Sequence, residues 1–275
     1  MTFSAEWRAL MREAQLSAEQ IATGVTVLGR ANHAQVGLYS QAFFGLSIGL
    51  ERLGKRILIA DHAIHSGGSF PTDEDLKRIG HDLHKLLPRC EAIGGTLKAD
   101  RSYATRPTDP IHQGIETTLS EFATKSRYYN LRYITGSAGG QFDPISTWWA
   151  HVAKPICDRH YSEAQKRKDE AQAAIMEKLL ESCSMVLHHT EEGAEINDLG
   201  TFFARAGVTA VVQKYGRFYT PQIARWLSSI MSELSHRGAY EKRIEPLFGL
   251  EEPFLIFRSD DRTFLRRKTW SIYRM

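Results

Sequence analysis

At 275 residues the chain is long enough to bury a substantial core, either as one large helical body or as two modest domains. A composition of 42% hydrophobic and 24% charged residues excludes a wholly disordered, collagen-like or disulfide-scaffold protein. The net charge of +3 is too small to mark a nucleic-acid binder by itself, but it is unevenly placed: residues 258–275 carry six basic side chains against two acidic ones.

The opening stretch, MTFSAEWRALMREAQ, has charges where a signal peptide needs its apolar segment. Residues 31–50 lack Asp, Glu, Lys and Arg and have about the length of a spanning helix, yet Asn32, His33, Gln35, Ser40, Gln41 and Ser47 interrupt them. No membrane association is expected. Cys90, Cys157 and Cys183 are odd in number and form no C-x-x-C pair, which fits a reducing, cytoplasmic setting.

The clearest pattern is Val36, Tyr39, Phe43, Leu46, Leu50, Leu53, Ile57, Ala60, Ile64, whose steps of three and four residues predict one long helix. Gly37, Gly45, Gly49 and Gly54 lower its intrinsic propensity, so close packing against a neighbour is expected to hold it. The loop from His65 to Pro71 ends it, and Thr72 with Asp73, Glu74 and Asp75 caps a second helix. That helix is predicted through Leu76, Ile79, Leu83, Leu86, Cys90 and Ile93, with a kink at Pro88, and the pair reads as an antiparallel hairpin.

A third amphipathic helix follows through Ile111, Ile115, Leu119 and Phe122, then an aromatic stretch with Tyr128, Tyr129 and Tyr133. Asp143-Pro144 opens a long connecting helix that Pro155 kinks, expected over 141–192. Residues 193–275 read as a smaller module of two or three short helices separated by glycines. It ends in a β-hairpin, Phe254–Phe257 and Thr263–Leu265 about Ser259-Asp-Asp261, which suggests a winged-helix-like unit. The expected fold is thus mostly all-α, with a helical domain over 1–140, the connecting helix, and the basic-tailed module.

Residues 39–64, YSQAFFGLSIGLERLGKRILIADHAI, followed by RIGHDLHKLL at 78–87, resemble the HEPN family of helical domains over about residues 34–135. Glu51, Leu53, Lys55, Leu58, His81, Asp82, Leu83, Leu86 and Leu87 carry the likeness, and Ser126–Tyr129 is similar to the aromatic end of that family's last helix. The resemblance implies an up-and-down bundle that dimerises. It also implies a family whose members often cut or bind RNA in toxin or antiviral systems, and whose ribonucleases use an R-x4-6-H pair. In such a pair the histidine activates or orients the 2′-hydroxyl and the guanidinium stabilises phosphorane charge without a metal.

Arg78 and His84 fit that spacing, with His81 and Asp82 placed to adjust protonation; Arg56 with His62 and Arg106 with His112 fit it equally. On one continuous helix Arg78, His81, Asp82 and Lys85 would share a polar face. An HD-type metal site from His81-Asp82 with His62 or His65 and Asp143 or Asp158 has unremarkable spacing. Glu233-x-x-His236 supplies only one of the two motifs a di-iron bundle needs. No P-loop, dinucleotide fingerprint or H-E-x-x-H occurs, so no metal or cofactor is expected. Arg258, Arg262, Arg266, Arg267 and Lys268, interleaved with Phe257, Phe264 and Trp270, form a candidate nucleic-acid surface. The function expected is an RNA-directed, metal-independent ribonuclease or RNA-binding effector acting as a homodimer. The alternative is a non-catalytic scaffold that dimerises and docks a protein partner.

Overall fold

The structure, a computed structural model, describes residues 3–97, 103–126, 134–136, 143–180 and 185–272. It is predominantly helical, and Tyr128, Tyr129, Tyr133 and Cys183 lie outside the described residues. Helix α1 (Ala5–Leu28) starts at Ser4, whose hydroxyl accepts from the Trp7 N–H. Helix α2 (Gly37–His65) is unbroken, as its apolar spacing predicts, and Leu46, Leu50, Leu53, Ile57, Ala60 and Ile64 are all buried.

These two helices form the tightest pair, because α1 offers the small residues Ala14, Ser17, Ala18 and Gly24, with Ile21 and Val25 on the same buried face. A Cβ on Gly49 would lie 2.6 Å from Ile21 Cγ1, and the Ser17 hydroxyl donates to the Gly49 carbonyl at 2.7 Å. The close packing expected of the α2 glycines is found there and at Gly54, where Leu86 presses, but not at Gly37, which faces open space.

The second predicted helix is two. Helix α3 (Asp73–Ile79) has the capping box of Thr72 and Asp75, and α4 (Leu83–Thr96) starts at Asp82. Gly80 separates them with φ 68° and ψ −151°, a conformation open essentially to glycine alone. Pro88 sits inside α4 without ending it. Helix α5 (Pro110–Glu121) runs where expected and leads into a π-turn, Phe122–Ser126.

The expected connecting helix over 141–192 is corrected to separate pieces. Helix α6 (Pro144–Trp148), capped by Asp143, passes through a π-turn at Trp149–Ala153 into α7 (Lys154–His160). Tyr161 is extended at φ −102°, ψ 90°, so the chain turns before α8 (Glu163–Leu180). A two-residue antiparallel ladder, β1 (His188–His189) with β2 (Glu195–Ile196), follows.

The short helices expected after residue 193 are instead one, α9 (Leu199–His236), which continues through Pro221. Residues 219–232 are buried on every side, so this helix is the axle of the fold, and the surrounding contacts hold the glycines and proline in line. The C-terminal hairpin is also corrected. Phe254 and Phe257 belong to a 3-10 turn, Glu252–Arg258, and α10 (Asp261–Arg266) begins where Asp260 accepts from the Thr263 N–H. The Ser-Asp-Asp run is a helix start rather than a strand turn, because a cap satisfies the same donors. The winged-helix-like reading loses its wing. Ile21, Leu46, Leu83, Ile115, Trp148, Trp226, Phe254 and Trp270 all belong to one core, shared by the three expected segments. No described helix is long and apolar enough to cross a membrane.

Candidate functional site

Glu51, Lys55, Leu58, His62 and His65 follow one another at helical spacing along a stripe of α2 beside its buried seam. After His65 the chain must reverse. Gly67 and Gly68, at φ 64° and 98°, make that turn, and the Gly68 N–H donates to the Ala63 carbonyl at 2.8 Å. The turn lays α3 over the polar stripe, and α4 closes the third side. The result is a cleft of 610 Å³ lined by Leu58, Asp61, His62 and His65 of α2, Pro71 of the loop, Asp75, Leu76, Arg78 and Ile79 of α3, and Arg89, Ala92 and Ile93 of α4.

Inside it, His65 Nδ1 lies 2.8 Å from the Asp61 carbonyl oxygen and 3.4 Å from the Asp61 carboxylate. A carbonyl can only accept, so Nδ1 donates, and in the neutral imidazole Nε2 is then the acceptor. His62 Nε2 is 3.2 Å from the Ser66 hydroxyl. Asp75 is committed to Thr72, whose hydroxyl and N–H hold its carboxyl below the usual range, and meets Arg78 only at 3.7 Å. Arg78 is therefore loosely held, and Arg89 makes no hydrogen bond or ion pair among the described residues. The cleft thus gathers two imidazoles and two accessible guanidinium groups on three different helices.

The other residues singled out in the sequence go elsewhere. His81 Nδ1 donates to Glu51, 3.0 Å from each carboxylate oxygen, and Lys55 Nζ approaches the same carboxylate at 2.7 Å. The imidazole stays exposed while Glu51 is buried, so the pair pins the α3–α4 turn onto α2. Asp82 accepts from the Ser120 hydroxyl at 2.8 Å and from the His84 N–H at 3.0 Å. Partial burial alone would raise its carboxyl, but these bonds hold it below the usual range. It caps α4 and ties it to α5. Because Gly80 breaks the helix, Arg78, His81, Asp82 and Lys85 do not share one face, and Asp82 is not free to adjust His81. His84 lies toward Ser120 of α5 and is not among the cleft residues.

Of the two rival Arg–His spacings, one is split between core and cleft, with Arg56 in the first and His62 in the second, and the other is held inside by ion pairs and hydrogen bonds. Arg56 is fully enclosed, its cation 4.8 Å from the Phe254 ring centroid. Arg106 is paired with Glu91 at 2.9 Å and Glu116 at 2.5 Å, and His112 is buried against Gln222 at 2.7 Å.

At the C-terminus, Trp270 is only 4% exposed and stacks on Phe257 at 5.5 Å, with Phe264 edge-on at 4.9 Å. The expected base-stacking platform is corrected to core packing: the aromatic residues turn inward while the interleaved cations turn out. Arg258 donates to the Ser232 hydroxyl at 3.1 Å, and Arg267 covers the Trp270 ring at 5.0 Å. Arg262, Arg266 and Lys268 remain exposed.

Sequence reasoning missed His62 and His65 as partners of Arg78, and missed Arg89. The signal that could have found the histidines is the polar stripe running one position beside the α2 seam. Among the described residues no group of three or more His, Cys, Asp or Glu is placed to hold a metal ion, so the HD-type set is not brought together there. No protein-family model, curated protein or solved structure matches the chain.

Proposed function

We propose that this protein is an RNA-directed, metal-independent endoribonuclease whose site is the cleft between α2, α3 and α4. The observation that carries the reading is the His65 ring, oriented by Asp61 with Nε2 as the acceptor, in the same cleft as Arg78 and Arg89. The resemblance to HEPN domains supports the same substrate class, with His62 and His65 in place of His84.

In this mechanism His65 Nε2 takes the proton of the ribose 2′-hydroxyl as its oxygen bonds to phosphorus. His62, in its protonated form, gives a proton to the departing 5′-oxygen as the P–O5′ bond breaks. Arg78 and Arg89 stabilise the added negative charge on the phosphorane oxygens. The products are a 2′,3′-cyclic phosphate and a free 5′-hydroxyl. The exposed cations Arg262, Arg266 and Lys268 extend the attraction for a polyanion. A second reading, a protein-docking scaffold, is favoured by Ile175, Leu179, Met185 and Leu187, which are exposed at and just beyond the end of α8.

Incubation of the purified chain with mixed RNA, with and without chelator, tests the proposal. Chelator-insensitive cleavage to cyclic-phosphate ends is expected, with a loss of about 100-fold or more in His65→Ala and in Arg78→Ala. His84→Ala is expected to cleave normally. Chelator-sensitive cleavage overturns the metal-independent mechanism. Absence of cleavage, with RNA retention indifferent to Arg78→Glu, leaves the scaffold reading.

A further inference from the structure

The β1–β2 hairpin pairs only two residues on each strand, too few to hold itself together, so the surface beneath must hold it. Two contacts do so. Glu191, in the turn between the strands, is only 4% exposed. Its carboxylate accepts from the Tyr39 hydroxyl at 3.3 Å and from Arg205 Nε at 3.2 Å, and the Ser146 hydroxyl donates to its carbonyl at 3.2 Å. Helices α2, α6 and α9 thus grip the turn. The second contact is aromatic. His188 of β1 stacks on Phe202 of α9 with ring centroids 5.4 Å apart. His33, from the connection between α1 and α2, meets the same Phe202 edge-on at 5.5 Å and His188 at 6.0 Å. Both His33 ring nitrogens are enclosed and have no hydrogen-bond partner among the described residues.

We infer that the hairpin is an acid-released latch: His33 and His188 seat it on Phe202 while both are neutral, and their protonation drives it off α9. A neutral ring at His33 leaves one N–H unpaired, whereas an imidazolium leaves two and adds a charge. With His188 also charged, two cations stand 6.0 Å apart beside one phenyl ring. Burial is the largest influence on His33 and holds its imidazole below 6.5; Glu191 of the turn favours the proton, while Arg205 of α9 and His188 of β1 oppose it. Glu191 does not reverse the balance, because its carboxylate is already given to Arg205 and Tyr39. Tyr39 of α2 stays neutral throughout, its hydroxyl raised by burial. Proton uptake therefore favours the released form: seating is complete above pH 6.5 and is lost as the pH falls from there through the seated value. Release also frees Arg205, which covers the Trp149 ring at 4.7 Å and lines a groove of 440 Å³ with Trp149, Cys157 and Val208. Acid thus leaves that groove with an unpaired cation on its wall. The latch shares no residue with the cleft and does not depend on the cleft's chemistry.

The test is amide hydrogen exchange of the full chain, read by mass spectrometry and corrected for the direct effect of pH on the exchange chemistry. Between pH 7 and pH 5 the protection of residues 188–196 is expected to fall about tenfold while that of α2 holds. His33→Phe, which keeps a ring and cannot be charged, removes the fall. His188→Gln, at a half-exposed position where the fold tolerates the change, removes most of it. Glu191→Gln weakens the hold of Arg205 and lowers hairpin protection at both pH values. His112→Gln leaves the fall in place, which separates the latch from the acid sensitivity of the core. Equal protection of the hairpin at pH 7 and pH 5 overturns the latch, as does a hairpin already unprotected at pH 7. A fall that α2 shares, or one that the two histidine variants retain, overturns it as well.

Discussion

Arg56 and His112 show what burial does to two side chains that the R-x4-6-H spacing offered as catalytic. Burial pushes the Arg56 guanidinium down to about 9, and its two terminal nitrogens have no hydrogen-bond partner among the described residues. At neutral pH it remains charged, with the Phe254 ring as its main compensation. Replacing an uncompensated buried cation by an apolar chain of similar length is neutral or favourable. Arg56→Met is therefore expected to keep or raise stability, by up to about 2 kcal/mol, read as the urea midpoint.

Burial moves His112 in the same direction as Arg56, but from a starting value that leaves the imidazole neutral rather than charged. Burial holds its imidazole below the usual value of 6.5, so under mild acid the unfolded chain binds a proton that the folded chain refuses. The stability tied to this group is complete above pH 6.5 and is lost as pH falls from there through the folded value. Between pH 7 and pH 5 the wild-type urea midpoint is expected to fall more than that of His112→Gln. Identical slopes would count against the assignment. Neither residue's burial is visible from spacing, because the same interval along the chain buries Arg56 and His112 while it leaves Arg78 and His62 in the cleft.

At the scale of elements, α2 was fully legible, since a long apolar seam at helical spacing has one solution. Helix α1 carries the same kind of signal, since Ala14, Ala18, Ile21, Val25 and Leu28 recur at helical spacing along its buried face, although no helix is predicted there from the sequence. The α3–α4 break, by contrast, was hidden. Leu76, Ile79, Leu83 and Leu86 keep helical spacing across Gly80, although the backbone there leaves the helix at φ 68°. Gly80→Ala forces a side chain into that conformation, and a loss of roughly 1–3 kcal/mol is expected in thermal or urea unfolding. The same variant is expected to weaken RNA retention, because α3 can then no longer lie over α2 to complete the cleft. A fully stable Gly80→Ala protein would show that the break is set elsewhere.

For the whole molecule, the decisive feature is that the C-terminal turns after α9 close on the first helix. The Trp270 N–H donates to the Thr26 hydroxyl at 2.9 Å, the Trp7 indole donates to the Phe248 carbonyl at 2.8 Å, and Ser4 bonds Glu245 through both its N–H and its hydroxyl. Helix α9 runs through the middle, packed on α1, α2, α5 and α8. A chain ending at residue 192 is thus expected not to fold as an independent helical domain, because it would expose the faces of α1 and α2 that α9 and the C-terminal turns cover. Far-UV circular dichroism and tryptophan fluorescence of the full chain should report one coincident urea transition. Two separated transitions would restore independent domains.

The amino-acid sequence by itself determined the helical class, the extent of α2, the caps at Thr72 and Asp143, and the polar character of the α3–α4 region, because these depend on local periodicity and local hydrogen bonds. It also singled out Arg78, which the structure places in the cleft, as a candidate. Only the tertiary structure decided which histidines face Arg78, that Trp270 serves the core, and that residues 199–236 form one continuous axle. Those outcomes depend on which surfaces meet across long chain separations. A helix buried on all sides has no seam to reveal it, and a side chain's partner is chosen by the packing of elements far away in sequence.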